Sequence, residues 1–250
     1  MTMYGTKLPY RVTDTDRKEL RVTLPWEPDE EREFLDRVRT GRYTHPYAPL
    51  SVRLGAIDPA TGDSALHIAA KSTSPLNTVK NIMSGFGPDS CIGRGPRPIY
   101  KWARHALLVH QNYDGDTALH IAARSGNQLL LTMLYRYMND HWSAVCPEVV
   151  EMEDGPPEYA VYPYDTDDSL STPCLLLLIT KNKMGRNPAA EARHSGNEHL
   201  AEWLDAIIPR LDPDGTRLTE ANVTEMIELV KYEHFHDWAK ERDIYNQFGC

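Results

Sequence analysis

The chain has 250 residues, 41% of them apolar, and carries 36 acidic against 27 basic side chains for a formal charge of −9. That apolar share can bury a sizeable core, which excludes a polar disordered chain, and the acidic balance argues against a general nucleic-acid binder. The apolar run at 175–179 is far too short to cross a bilayer, and residues 1–20 hold no apolar stretch of signal-peptide length.

Residues 1–28 contain three prolines and the alternating run Leu20-Arg21-Val22-Thr23-Leu24, which reads as an extended arm with one short strand. From Asp29 the pattern becomes helical. Glu30, Glu31 and Glu33 favour a first turn, Phe34, Leu35 and Val38 form an apolar face, and Gly41 ends the helix. This helix, 29–41, is expected to cap the N-terminal end of a repeat array.

The repeat is explicit in the residues. Gly62-Asp63-Ser64-Ala65-Leu66-His67-Ile68-Ala69-Ala70 returns fifty-three residues later as Gly115-Asp116-Thr117-Ala118-Leu119-His120-Ile121-Ala122-Ala123. Ser64 and Thr117 suit a helix N-cap, where a hydroxyl accepts from a free N–H. The glycine two residues earlier suits a turn that needs positive φ. Leu66, Ala69 and Ala70, like Leu119, Ala122 and Ala123, recur at i, i+3 and i+4 and make one apolar helical face. A second helix comes next in each copy, carrying Val79, Ile82 and Met83 after Ser72-Thr73-Ser74-Pro75, and Leu130, Leu131 and Leu134 after Ser125-Gly126-Asn127.

A weaker third copy lies a further seventy residues on, as Gly185-Arg186-Asn187-Pro188-Ala189-Ala190-Glu191-Ala192 and then Ser195-Gly196-Asn197. Asn187 reads as the cap and Pro188 as the first helical residue. Ala190 stands where His67 and His120 stood, and Glu191 replaces an isoleucine. The second helix of this copy keeps Leu200, Trp203, Leu204, Ile207 and Ile208 on one side. The stretch at 86–109 is Gly/Pro-rich and then helix-like from 99 to 110. The stretch at 140–180 is rich in proline and should be mostly loop, and periodicity leaves its apolar end at 175–179 open between helix and strand. After a turn at Asp212-Pro213-Asp214-Gly215, two further helical patterns, with Val223, Met226, Ile227 and Val230 and then Tyr232, Phe235, Trp238 and Ala239, make 211–250 a C-terminal helical cap.

Charge is unevenly placed. Between Arg136 and Lys181 there is no Lys or Arg, while nine acidic residues occupy 140–168. That run reads either as a solvated loop or as an attraction for a basic protein partner. Arg94, Arg97, Lys101 and Arg104 cluster in the earlier insertion, too few for nucleic acid. Cys91, Cys146, Cys174 and Cys250 show no metal or redox spacing, which fits a reduced compartment, cytoplasm or nucleus. No phosphate loop, nucleophile elbow, dinucleotide fingerprint or His-Glu-x-x-His occurs. The His194/His199 and His234/His236 pairs lack metal-ligand geometry, and the Asp212 turn lacks the ligand spacing of a calcium loop.

The repeated strings resemble the opening of an ankyrin repeat, a β-turn followed by Thr-Pro-Leu-His-x-Ala-Ala at the head of the first of two short helices. The resemblance implies an all-α ankyrin-repeat solenoid over 29–210, with repeats near 58–85, 112–138 and 182–209. Against a period of about 33 residues, the insertions amount to about 20 and about 37. It also implies a structural part for His67 and His120, which steady the turn. It further implies a non-enzymatic scaffold, without cofactor or metal, that grips a partner protein through turn tips and inner helices. Carried to matching positions, this names Asp63, Tyr113, Asp114, Asp116, Met184 and Arg186 in the turns and Lys71, Arg124, Arg193 and His194 at the helix ends as partner-binding residues. Small fungal ankyrin chaperones of a basic ribosomal protein share the three-repeat size. Inhibitors of Rel-type transcription factors and fungal cell-cycle transcription factors share the Gly-Asp-Thr-like repeats with insertions. The competing class is an enzyme whose insertions bring His105, His110, Tyr159 or Asp165 into a pocket over the scaffold.

Overall fold

The computed structural model describes residues 28–42, 50–83, 107–138 and 168–216. The arm at 1–27, most of both insertions and the C-terminal cap beyond 216 lie outside the described residues. Nine helices lie among the described residues, in chain order: α1 (Pro28–Arg39), α2 (Leu50–Gly55), α3 (Ala65–Ala70), α4 (Pro75–Met83), α5 (Ala118–Ser125), α6 (Gln128–Arg136), α7 (Asp168–Ile179), α8 (Pro188–His194) and α9 (Glu198–Leu211). Among the described residues there is no strand, only an isolated bridge between Ile57 and Ser64.

The first helices of the three copies form one row. α1 packs on α3, α3 on α5, and α5 on α8, while α4 packs on α6 in a second row and each first helix packs on its own second helix. Small side chains make the row close: Ala65, Ala69, Ala118, Ala122, Ala123, Ala189 and Ala192 are all buried. Leu66, Ile82, Leu119, Leu130, Leu134, Leu200 and Leu204 fill the space between the rows. Each contributes roughly 1.5–3 kcal/mol by leaving water. α1 closes the N-terminal side by burying Phe34, Leu35 and Val38, and Glu31 accepts the Ile57 N–H at 3.1 Å.

The apolar end of the 140–180 stretch, open between helix and strand on sequence, is helical: α7 covers it and packs on α8 and α9. Four consecutive leucines at 175–178 are buried, so this helix has no exposed face at its C-terminal end. That is why an amphipathic signal is missing. Residues 107–109 are helical just ahead of the second turn, within the helix expected over 99–110, and α2 precedes the first turn. The third repeat runs past 209, because α9 continues through Pro209 to Leu211.

The hydroxyls of Ser64 and Thr117 also serve another purpose. Ser64 makes no helix-capping bond while Thr117 forms a capping box with His120, and both hydroxyls bond to Nδ1 of the histidine three residues on, at 2.8 Å each. Asn187 and Asn127 do cap, accepting from Ala190 N–H and Leu130 N–H.

Gly115 and Gly185 share a left-handed conformation, φ 79° and 74°, but not a neighbourhood. A Cβ on Gly115 would meet Lys183 N at 2.8 Å and Asn182 Cα at 3.0 Å, whereas one on Gly185 meets nothing within 4 Å. Gly185→Ala should therefore cost about 1 kcal/mol of backbone strain. Gly115→Ala should cost about 1–3 kcal/mol more through the clash. Urea denaturation of both variants checks this, and equal losses would show that the second and third turns do not touch as described.

Candidate functional site: the row of turns

Three turns lie side by side, built around Asp58, Asn112 and Asn182. Asn112 Oδ1 accepts the N–H groups of Asp114 and Asp116, and Asn182 Oδ1 accepts those of Met184 and Arg186, all at 3.0 Å. Each asparagine then reaches back with Nδ2. Asn112 donates to Asp63 Oδ1 at 2.8 Å, and Asn182 donates to Asp116 Oδ1 at 2.9 Å. Main-chain bonds run the same way, from Tyr113 N–H to Thr61 O at 2.9 Å and from Lys183 N–H to Asp114 O at 2.8 Å.

Histidines complete the link in the forward direction. His120 Nδ1 accepts the Thr117 N–H, so the proton sits on Nε2, which donates to Arg186 O at 3.1 Å. His67 Nε2 bonds to Asp116 O at 2.8 Å. His110, packed edge-on against His67 with ring centroids 5.5 Å apart, bonds to Gly62 O at 2.9 Å. Burial lowers the pKa of both His67 and His120, the latter to about 4. Neutral rings suit groups that spend both nitrogens on fixed partners.

The second carboxylate oxygen of each buried aspartate takes a cation from the end of its own first helix. Lys71 reaches Asp63 and Arg124 reaches Asp116, both at 2.7 Å. Burial opposes the Asp63 carboxylate, yet the bonds from Lys71 and Asn112 outweigh it and hold its pKa below the usual range.

The third repeat exchanges the charges. Arg186 stands at the aspartate position, and Glu191 at the isoleucine position receives Arg124 at 2.7 Å, Arg186 at 2.6 Å and Asn182 at 3.2 Å. These donors overcome burial and bring the Glu191 pKa down to about 2.

The ankyrin-repeat family model matches residues 114–142, the second turn and the helix pair behind it. Over those residues the chain carries an ankyrin repeat. No curated protein and no solved structure matches it significantly. Ankyrin repeats generally mediate protein–protein interaction and are typically non-enzymatic.

The partner-contact residues implied by the ankyrin resemblance divide into two groups. Asp63 and Asp116 are buried, 4% and 3% exposed, and are committed to neighbouring turns, so the surface role expected of them gives way to an internal one. Lys71, Arg124 and Arg186 are tied to those acids or to Glu191, and Arg193 bridges Glu198 and Asp205 on the surface. Tyr113, Asp114, Met184 and His194 face solvent. Tyr113 at 46% and Met184 at 71% are the exposed large apolar side chains among the described residues.

Lys181 and Lys183, beside Met184, were not implied as contacts although both are exposed. Aligning the asparagines, which places Lys183 at the position of Tyr113, is the signal that finds them. Of the residues proposed for an enzymatic pocket, His110 is buried and bonded to backbone, while His105, Tyr159 and Asp165 lie outside the described residues. Among the described residues no group of three His, Cys, Asp or Glu side chains could hold a metal ion.

Stability should follow these protonation states. A histidine whose folded pKa lies below its unfolded value of about 6.5 binds a proton more readily when unfolded. Its contribution is therefore present above pH 6.5 and lost as pH falls toward about 4 for His120. Glu191, held near 2, adds a second loss as pH falls below about 4.5. Denaturation midpoints measured from pH 7 to 3 should fall in both windows, and Glu191→Gln should flatten only the lower one. At pH 7, Glu191→Ala, which leaves Arg124, Arg186 and Asn182 without their shared acceptor, should cost about 2–4 kcal/mol.

Proposed function

We propose that this protein is a non-enzymatic scaffold that binds a partner protein through the tips of the turns and the adjoining exposed ends of the inner helices. The carrying observation is the separation of two sets of residues on the same turns. Polar groups at the base bond inward to neighbouring repeats, while the tips leave Tyr113 and Met184 in water on adjacent turns joined by the Lys183-to-Asp114 bond. Large apolar side chains held on a rigid, internally satisfied frame are what a docking surface requires, since little ordering remains to be done on binding. Exposed His194 and the surface-paired Arg193 stand at the end of α8, an inner helix end that belongs to this reading. The cysteine pattern supports placing the scaffold in cytoplasm or nucleus.

The test is affinity capture with the full chain and with the Tyr113→Ala/Met184→Ala double variant. Specific partners should be depleted at least about tenfold, the weight of one or two interface hot spots. The melting temperature should fall by no more than about 4 °C, since Met184 is largely exposed and the Tyr113 ring is half-exposed over Gly62. Unchanged capture would remove the tips from the binding face.

A further inference from the structure

The third turn differs in charge from the two before it. The first presents Pro59, Ala60 and Thr61, and the second Tyr113 and Asp114. The third, Lys181-Asn182-Lys183-Met184-Gly185-Arg186, presents two exposed lysines that make no ion pair among the described residues, in a chain of net charge −9. Its other cation, Arg186, is spent on Glu191.

Among the described residues, the third turn also differs in having no neighbour on its far side. Gly62 lies under the Tyr113 ring and Gly115 under Asn182 and Lys183, but no described residue comes within 4 Å of a Cβ on Gly185. Thr61 O and Asp114 O each accept an N–H from the next turn. Met184 O, the third carbonyl of that series, accepts none among the described residues. The residue that would supply it, Pro213, has no N–H to give. The next turn along the chain, Asp212-Pro213-Asp214-Gly215-Thr216, repeats the internal bonding, with Gly215 N–H on Asp212 O at 3.2 Å and Thr216 N–H on Asp212 Oδ1 at 2.9 Å. It leaves Gly185 uncovered all the same.

We propose that this third turn is the docking point for an acidic linear segment of the partner protein that carries one large apolar side chain. The apolar side chain packs on Met184 beside Tyr113, the carboxylates meet Lys181 and Lys183, and a main-chain N–H of the segment satisfies Met184 O. Charge complementarity at an apolar tip favours an acidic peptide. Nucleic acid would meet the same lysines but would gain nothing from Met184 and would be repelled by the rest of the chain. The inference rests on the scaffold reading and adds the chemistry of the partner.

The probe is a phage-displayed library of linear peptides about twelve residues long, selected on the full chain at about 0.15 M salt, with a short single-stranded DNA tested in parallel. Selected peptides should combine Asp or Glu with Leu, Phe or Met. They should lose about tenfold in affinity for Met184→Ala and again for Lys181→Ala/Lys183→Ala, and should weaken as salt rises. Basic or uncharged consensus sequences, binding indifferent to those substitutions, or DNA binding that the lysine variant alone abolishes would each overturn the proposal. Peptides that map to Tyr113 and Asp114 without the third turn would overturn it while leaving the scaffold intact. Binders insensitive to every tip substitution would count against the scaffold as well.

Discussion

The burial of Asp63 and Asp116 between neighbouring turns is the constraint on which the rest of the structure depends. A carboxylate taken out of water is tolerated only if its oxygens are filled, and here one oxygen is filled by the next turn's asparagine and the other by a cation at the end of its own first helix. A single repeat cannot meet that requirement. Neither can it supply an acceptor for His67 Nε2 or His120 Nε2, both of which end on backbone of the following turn. The polar interior therefore adds a nearest-neighbour coupling of its own to the apolar packing that any stacked array has.

Because the coupling is spatial, the length of chain between turns matters little to it. Asn112 meets Asp63 across forty-nine residues and Asn182 meets Asp116 across sixty-six. Lengthening a surface connection costs only about 0.6 kcal/mol per doubling. The insertions thus leave the register of turns untouched. Their ends are not free of structure, however: α7 buries its leucines against the third repeat and becomes part of the stack.

This also explains what could be read from the residues in order. The helix pairs, their apolar faces and the glycine turns come from short-range pattern, because each is decided within one turn of helix or one β-turn. Asp63 and Asp116 look like solvent-facing turn acids for the same reason: the groups that bury them sit in another repeat. The Ala190 and Glu191 departures are visible in the string, but their meaning is not. Glu191 makes sense only once Arg124 of the preceding repeat and Arg186 of its own turn are seen to converge on it. Ser64 and Thr117 stand where helix caps stand, and only the position of the ring beside them shows that they also orient a histidine.

The same exchanges set the third repeat apart. Each of the first two repeats offers its successor a histidine Nε2, an aspartate oxygen and a main-chain carbonyl. In the third, the histidine is Ala190, the aspartate is Arg186, and the carbonyl of Met184 accepts no N–H among the described residues, the matching residue of the next turn being proline. Asp212 to Thr216 nonetheless folds into the same local turn, with Gly215 N–H on Asp212 O and Thr216 N–H on Asp212 Oδ1. A repeat stripped of those forward groups keeps its backward bonds, through Asn182 and Glu191, and has a forward side that no longer needs to match another repeat. Its tip residues are then relieved of a structural duty that Asp116 still carries, and the lysines, the methionine and the open glycine of the third turn occupy that freed position.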